Sequence, residues 1–195
     1  GGFILTNNRE IYEIMLSIRS HGWTRDLDKK NTLIKKSNEY FEETWRFIFP
    51  GFNLRPNEIN SSLGISQLKK LNKFILIRRK NYKYLKSLFF NSPFIIQEEI
   101  GESSSFGFSF IIKKESGLNR VDVVKVLKKN NIDYRPIIIG NFLKSESIRF
   151  YNILNKDQIL INCDYVHKNG FMIGNSHVNL KEQIRHLYNS LSVFF

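Results

Sequence analysis

Three short polar stretches hold the residues of this chain that could do chemistry. Arg19-Ser20-His21-Gly22-Trp23-Thr24-Arg25 gathers a histidine, a tryptophan and two arginines just past an apolar helical pattern. A guanidinium fork binds phosphates and carboxylates, and a Trp or His face stacks on a ring. Asn53 and Arg55 alternate with Phe52 and Leu54, so an amide and a guanidinium share the face opposite two apolar anchors. Arg135, Asn141, Asn175 and His177 stand at the ends of later apolar runs. Each stretch also has a purely structural reading. Basic residues after a helix meet its dipole, and Asn beside Gly is ordinary turn chemistry. No self-contained catalytic set is present: there is no Gly-rich phosphate loop, the four histidines lack zinc spacing, and nothing marks a nucleophilic serine.

The elements that must position these residues follow from periodicity. Gly1 to Thr6, with its apolar run Phe3-Ile4-Leu5, reads as a buried strand that starts without a lead-in, which suggests that something precedes it. Asn7 or Asn8 caps a helix with Ile11, Ile14, Met15 and Ile18 on one face, stopped by Gly22. Residues 26–46 read as a long surface loop of the kind that is often functional, with Phe41, Trp45 and Phe47 near its end. Pro50-Gly51 makes a turn, and Pro56 suits the first turn of a helix that runs to about Phe89 on Ile59, Leu63, Leu68, Leu71, Ile75, Tyr82, Leu85 and Leu88. That helix would be about 50 Å long, enough to bridge two substructures or two subunits. Beyond it the pattern gives strands at 94–96, 106–112, 132–139 (bent or edge-bound by Pro136) and 171–175. Helices are expected from the Asn119 cap to Asn130, over 145–151 and 157–166, and from Glu182 to Leu191. The order is β-α-long α-β-β-α-β-α-β-α, an α/β chain closing on a small α+β unit.

Composition narrows the classes. The chain has 195 residues, 42% of them apolar, enough for one or two domains with a real core. The single cysteine, Cys163, excludes a disulfide framework, and a reducing cytoplasm is the default expectation. No apolar run approaches the 18 residues a membrane helix needs. The formal charge of +12 invites a nucleic-acid reading. The lysines are spread along the chain, however, among abundant Ile, Asn and Phe, and an anionic substrate would be served by the same field.

The run Gly51-Phe52-Asn53-Leu54-Arg55-Pro56-Asn57-Glu58, then Leu63-Gly64-Ile65 with Gln67-Leu68 and Leu71, then Arg78-Arg79, resembles the DegT/DnrJ/EryC1/StrS sugar aminotransferase family of pyridoxal-phosphate enzymes. The match extends over nearly the whole chain. Four further stretches are similar to one branch of it, the GDP-4-keto-6-deoxymannose 3-dehydratases of colitose biosynthesis. They are Ile18 to Arg25; Gly101-Glu102-Ser103-Ser104 with Phe106 to Phe110; Arg135-Pro136-Ile137 with Gly140-Asn141-Phe142-Leu143; and Gly170 to Asn175 with His177.

The resemblance implies the C-terminal part of an aspartate-aminotransferase-like (fold type I) enzyme. Residues 1–56 would be a remnant of the large cofactor domain, 57–90 the bridging helix and 91–195 the small C-terminal domain. It implies pyridoxal or pyridoxamine 5'-phosphate as cofactor, a GDP-4-keto-6-deoxy sugar and glutamate as partners, and a homodimer with shared active sites. By the same resemblance Asn53 reaches the cofactor phosphate across the dimer, and Arg55 meets the glutamate carboxylate or nearby substrate. His21 is the active-site histidine near the sugar. Trp23, Arg25, Asp133, Arg135, Asn141 and His177 serve the sugar nucleotide, with Arg25 and Arg135 as diphosphate partners; no metal is implied. The family's Schiff-base lysine, a histidine in the dehydratase branch, would fall upstream of Gly1, so the chain alone is expected to be inactive. A sugar 4-aminotransferase, and a non-catalytic chain that binds a sugar nucleotide or a full-length partner, are the alternatives.

Overall fold

In a computed structural model that describes residues 2–152 and 157–195, helix α1 (Arg9–Ile18) begins at the expected cap. The Asn8 backbone is extended, and its side-chain oxygen accepts the Ile11 N–H at 3.1 Å, satisfying one of the helix's orphan donors. The chain divides into two compact units, Gly1–Leu68 and Lys69–Phe195.

The first unit is a set of hydrogen-bonded crossings. Phe52 N–H donates to Ile18 C=O (2.8 Å), His21 N–H to Phe52 C=O (2.9 Å) and Leu54 N–H to Arg19 C=O (2.8 Å). On the other side, Thr24 N–H donates to Arg46 C=O (3.0 Å) and Ile48 N–H to Gly22 C=O (2.8 Å). The segment 18–24 is thereby clasped between 46–48 and 52–54. The approach is so close that a Cβ on Gly22 would lie 1.8 Å from the Phe49 carbonyl oxygen, and one on Gly51 would lie 2.3 Å from the Gly22 nitrogen. Gly22 also has φ +85°, a left-handed conformation that glycine adopts without penalty. The long loop is tied back to α1 by Glu13. This buried carboxylate accepts from Thr32 N–H and Oγ1–H, both at 2.7 Å, and from Arg9 Nε at 2.9 Å. The loop contains a short helix, α2 (Tyr40–Thr44), absent from the sequence reading.

The expected strand at Phe3–Leu5 does not form. All three side chains are exposed and no ladder pairs them among the described residues, so their backbone has no sheet partner; Gly1 lies outside the described residues. Helix α3 (Glu58–Leu88) is as long as its periodicity predicts, about 45 Å. Its start is set by Asn57, whose Oδ1 accepts the Asn60 N–H at 2.8 Å, rather than by Pro56.

The second unit is organised on an antiparallel sheet of order β1-β2-β3, made of β1 (Phe94–Ile96), β2 (Gly107–Ile112) and β3 (Gly170–Gly174). Phe94 pairs with Ile112, and Phe110 with Phe171. Alternation in β2 buries Phe108, Phe110 and Ile112. Onto them pack Tyr82, Leu85 and Phe89 of α3, Val123 and Leu127 of α4 (Arg120–Lys129), and Ile184, Leu187 and Leu191 of α6 (Lys181–Leu191). Phe110 and Phe171 stack at 5.0 Å, and Phe89 meets Phe110 edge-on at 5.2 Å. Helix α4 starts on Asn119, which accepts from Asp122 N–H as expected.

Three expectations in this unit are corrected. Residues 132–139 do not form a strand. Only Arg135 pairs, with Met172 of β3, after which Pro136 offers no N–H and the chain turns through Ile139 and Gly140, both at φ 62°. The stretch 145–151 is a 3-10 turn over Glu146–Phe150 rather than an α-helix. The next helix, α5, spans Ile161–Asn169 instead of starting at Asp157.

Two outcomes test these contacts. Phe110→Ala removes a fully buried ring from the centre of the aromatic cluster and should destabilise the chain by about 3–5 kcal/mol in urea denaturation followed by circular dichroism. Hydrogen bonds from Thr32 and then Arg9 hold the Glu13 carboxyl down at about 2, against an ordinary 4.5. A depressed folded-state value stabilises above the unfolded value and is lost as pH falls through the folded one. The thermal midpoint should therefore drop between about pH 4.5 and 2, and Glu13→Gln should flatten that part of the profile.

Candidate functional site

The crossing at Gly22 and Gly51 gathers five of the nine residues to which the resemblance gives a role. Ser20 is bridged to Asn53, and Trp23 to Phe47. His21 sits at φ 62°, an uncommon conformation for a non-glycine residue, with its N–H held by Phe52 and its ring exposed. Trp23 lies in a stacked aromatic group, 4.9 Å from Trp45 at an interplanar angle of 10° and 5.8 Å from Phe47. Its indole N–H donates to Thr44 C=O at 2.8 Å, which fixes the ring plane. The Arg25 guanidinium lies 5.2 Å from the Trp23 ring centre and that of Arg55 lies 6.0 Å away, both within cation–π range.

Arg55 is held in a defined pose. Its Nε donates to Ser20 Oγ and one terminal nitrogen donates to Asp26 Oδ2, each at 2.7 Å. Arg19 approaches the same Asp26 oxygen at 3.6 Å. One carboxylate thus faces two guanidinium groups, and the second terminal nitrogen of Arg55 has no protein partner among the described residues. The Asn53 side chain is exposed and makes no hydrogen bond among them either, leaving an amide donor available. Trp23, Arg25, Lys36, Tyr40, Glu43 and Trp45 line a hollow of about 410 Å³. Glu43 is oriented there by Thr24 Oγ1–H at 2.8 Å and Ser37 N–H at 2.9 Å.

Sequence reasoning missed Ser20, Asp26, Lys36, Tyr40 and Trp45 as members of this group. The aromatic residues near the end of the 26–46 loop were the available signal. Nothing in the local pattern marks Asp26, which matters only because the chain crossing brings Arg55 to it.

The other four candidates lie in the second unit. Asp133 and Arg135 are exposed, with the Arg135 backbone paired to Met172 (2.9 and 2.7 Å). Asn141 is buried and builds its own turn. Its Oδ1 accepts from Leu143 N–H at 3.0 Å, its Nδ2 donates to Asp164 Oδ1 at 2.8 Å, and its N–H donates to His167 Nδ1 at 3.3 Å. Lys144, 2.6 Å from Asp164, and then Asn141 hold that carboxyl below the usual range. His177 is exposed, its ring 4.2 Å from that of Phe74. No hydrogen bond joins the four to one another among the described residues. No cluster of His, Cys, Asp and Glu suited to a metal occurs among them.

This architecture is that of the aspartate-aminotransferase-like, pyridoxal-phosphate enzymes. A crystal structure of GDP-4-keto-6-deoxymannose-3-dehydratase with a trapped PLP-glutamate geminal diamine matches with a TM-score of 0.89 at 44% identity, covering 96% of this chain and 49% of that one. A mutant form of that enzyme with bound GDP-perosamine matches at 0.88, with the same identity and coverage. PseC of Helicobacter pylori, an aminotransferase of pseudaminic acid biosynthesis, shares the fold at 21% identity and a TM-score of 0.74. The sequence model of the DegT/DnrJ/EryC1/StrS aminotransferase family matches residues 1–184, and the chain belongs to that family. Among curated relatives, GDP-4-keto-6-deoxy-D-mannose 3-dehydratase of Escherichia coli is 47% identical over 189 residues, 96% of this chain and 49% of that protein. The Yersinia pseudotuberculosis enzyme of the same name is 44% identical over 194 residues, 98% and 49% of the two chains. The chain spans about half the length of these relatives.

The near-parallel Trp23–Trp45 pair should give an exciton couplet in circular dichroism. Trp45→Leu should abolish it and, because the pair is partly exposed, cost only about 0.5–1.5 kcal/mol of stability. A couplet that survives the substitution would mean that the two indoles do not stack in solution.

Proposed function

We propose that this chain is part of a pyridoxal or pyridoxamine 5'-phosphate-dependent 3-dehydratase. It would remove the C3 hydroxyl of a GDP-4-keto-6-deoxy sugar, with glutamate as amino donor, in deoxysugar and lipopolysaccharide O-antigen biosynthesis. The carrying observation is 47% identity to the E. coli dehydratase along 96% of the chain. The gathering of His21, Trp23, Arg25, Asn53 and Arg55 at one backbone crossing supports it. When bound, the cofactor supplies an electron sink for loss of a proton and a hydroxyl from the sugar.

The residues present suit that group. The uncommitted Asn53 amide is a donor fit for a phosphate oxygen. Arg55, braced by Ser20 and Asp26, keeps one terminal nitrogen for the glutamate carboxylate. His21 presents an exposed imidazole able to hold or move a proton near the sugar. The hollow beside Trp23 and Arg25 lies within the size range of small-molecule sites and offers indole faces with a guanidinium for the nucleotide and its diphosphate. Arg135 and His177 offer exposed side chains for the same substrate, as does Asp133, two positions before Arg135. Asn141 would act as a positioning residue through the turn that it builds.

A homodimer with shared sites belongs to the same reading, supported by the exposed apolar residues Ile59, Leu63 and Leu68 along α3. The cytoplasm is its proposed compartment, and the chain alone would be inactive. A sugar 4-aminotransferase is the second reading. It is favoured by 43% identity over 70 residues to the Helicobacter pylori UDP-4-amino-4,6-dideoxy-N-acetyl-beta-L-altrosamine transaminase.

The test joins the N-terminal half of the E. coli relative to this chain. The fusion should bind pyridoxal phosphate and consume GDP-4-keto-6-deoxymannose in the presence of glutamate. Arg55→Lys should lower kcat/KM for glutamate about 10–100-fold, the worth of one charge-assisted hydrogen bond. A folded fusion that never takes up the cofactor would refute the reading, and one that yields only an aminated sugar would favour the second.

A further inference from the structure

We propose that His167 is a pH-sensitive latch on the turn at 138–141: its neutral ring holds the turn closed by accepting the Asn141 N–H, and protonation of the ring releases it.

The turn is one that its own residues do not favour. Ile139 and Gly140 both stand at φ 62°. Glycine adopts that conformation freely, but a β-branched side chain crowds its own backbone there and persists only where the surroundings hold it. Within the turn, Gly140 N–H donates to Ile138 C=O at 2.7 Å. The rest of the hold comes from α5. Asp164 and His167 are three positions apart and share one face of that helix, where they take Asn141 by its side chain and its backbone. Asn141 Nδ2 donates to Asp164 Oδ1 at 2.8 Å, and Asn141 N–H donates to His167 Nδ1 at 3.3 Å. The fit is close, because a Cβ on Gly140 would lie 2.5 Å from that ring nitrogen.

The pairing selects the tautomer. Ile139 C=O lies 3.4 Å from His167 Nδ1, so the same nitrogen faces a donor and an acceptor. Asn141 is buried, and its N–H has no other acceptor among the described residues, whereas Ile139 is exposed and its carbonyl can take water. The Nε2–H tautomer, with its Nδ1 lone pair on the Asn141 N–H, satisfies both groups. A protonated ring has no lone pair. It turns a donor toward the Asn141 N–H, leaves that group unpaired, and has only the more distant Ile139 carbonyl to donate to. The closed turn therefore binds one proton fewer than the released one and is favoured as pH rises.

Histidine is the side chain that changes charge near neutral pH. The charged groups around the ring are Asp164 and Lys168 of its own helix, Lys144 across the turn, and Arg120 of α4, which donates to His167 C=O at 2.6 Å. Asp164 keeps its charge near neutral pH, because Lys144 and then Asn141 hold its carboxyl below the usual range. The response of the turn is therefore His167's own. Asn141 is the residue of this turn to which the resemblance gives a substrate role, and under the dehydratase reading the latch would set its position by pH. That consequence rests on the reading; the latch does not, and its test needs neither cofactor nor substrate.

The test is an NMR titration of the 195-residue chain from about pH 8 to about pH 5, the range in which histidines change charge, following the His167 ring nitrogens and the amides of 139–143. At the upper end the ring should be the Nε2–H tautomer. The Gly140 and Asn141 amides should shift with the midpoint of the His167 ring. Asn141 should lose about tenfold in protection from hydrogen exchange, the worth of one hydrogen bond. His167→Asn puts an amide oxygen near the place of Nδ1 and does not titrate, so it should keep Asn141 protected at both ends of the range. His167→Phe keeps a ring without an acceptor and should leave Asn141 unprotected throughout. His167 is exposed, so neither change removes core packing. The proposal fails if the Asn141 amide ignores the midpoint of the ring, or if the ring is the Nδ1–H tautomer at the upper end. It also fails if the Asn141 amide of His167→Asn titrates as the parent's does, or if His167→Phe, folded by its thermal transition, leaves Asn141 protected.

Discussion

Gly22 and Gly51 allow two stretches of backbone to pass at a separation that no side chain would tolerate, and the geometry of the first unit follows from that contact. With 18–24 clasped between 46–48 and 52–54, His21, Trp23, Asn53 and Arg55 have little freedom in where they stand. A Cβ at either glycine would collide with backbone rather than with a movable side-chain tip, so the crossing could not relax locally. The left-handed backbone at His21 is part of the same construction, because the residue before Gly22 must already be turning.

Charge then finishes what the backbone begins. Asp26 meets Arg55 and Arg19 together, and Ser20 takes the Nε of Arg55, so the guanidinium is aimed before any ligand arrives. The pair is partly exposed, and its worth lies in orientation more than in stability. A fork held by two of its edges loses less entropy when the free nitrogen engages a carboxylate.

The two units are stabilised by different means. The second has an apolar core of stacked and edge-on phenylalanines, pinned by one buried amide. Asn81 donates to Asn175, Ser176 and Val178 and accepts from Leu180 N–H, so a single side chain fixes the turn that starts α6. The first has little comparable apolar core. Leu27 is its buried hydrophobe, while Glu13, Ser17, Ser20 and Thr24 are buried polar residues, and its order rests on hydrogen bonds. Phe3, Leu5, Phe52 and Leu54 remain exposed in it.

The sequence alone determined what depends on neighbours along the chain. The Asn8 and Asn119 caps, the extent of α3 and the alternation of β2 are local, set by one side chain reaching a nearby N–H or by a repeating apolar face. The family motifs were also readable, and with them the residues proposed for the site. Tertiary structure decided what depends on distant partners. Phe3–Leu5 has strand composition, but no strand pairs with it among the described residues, and 132–139 loses its ladder where Pro136 and the left-handed Ile139 turn the chain away. Asp26 and Trp45 joined the site only because the crossing placed Arg55 and Trp23 against them, 29 and 22 positions away. A propensity belongs to a segment, whereas a paired strand, a stacked ring or a shared carboxylate belongs to two segments, and their meeting is fixed by the packing of the whole unit.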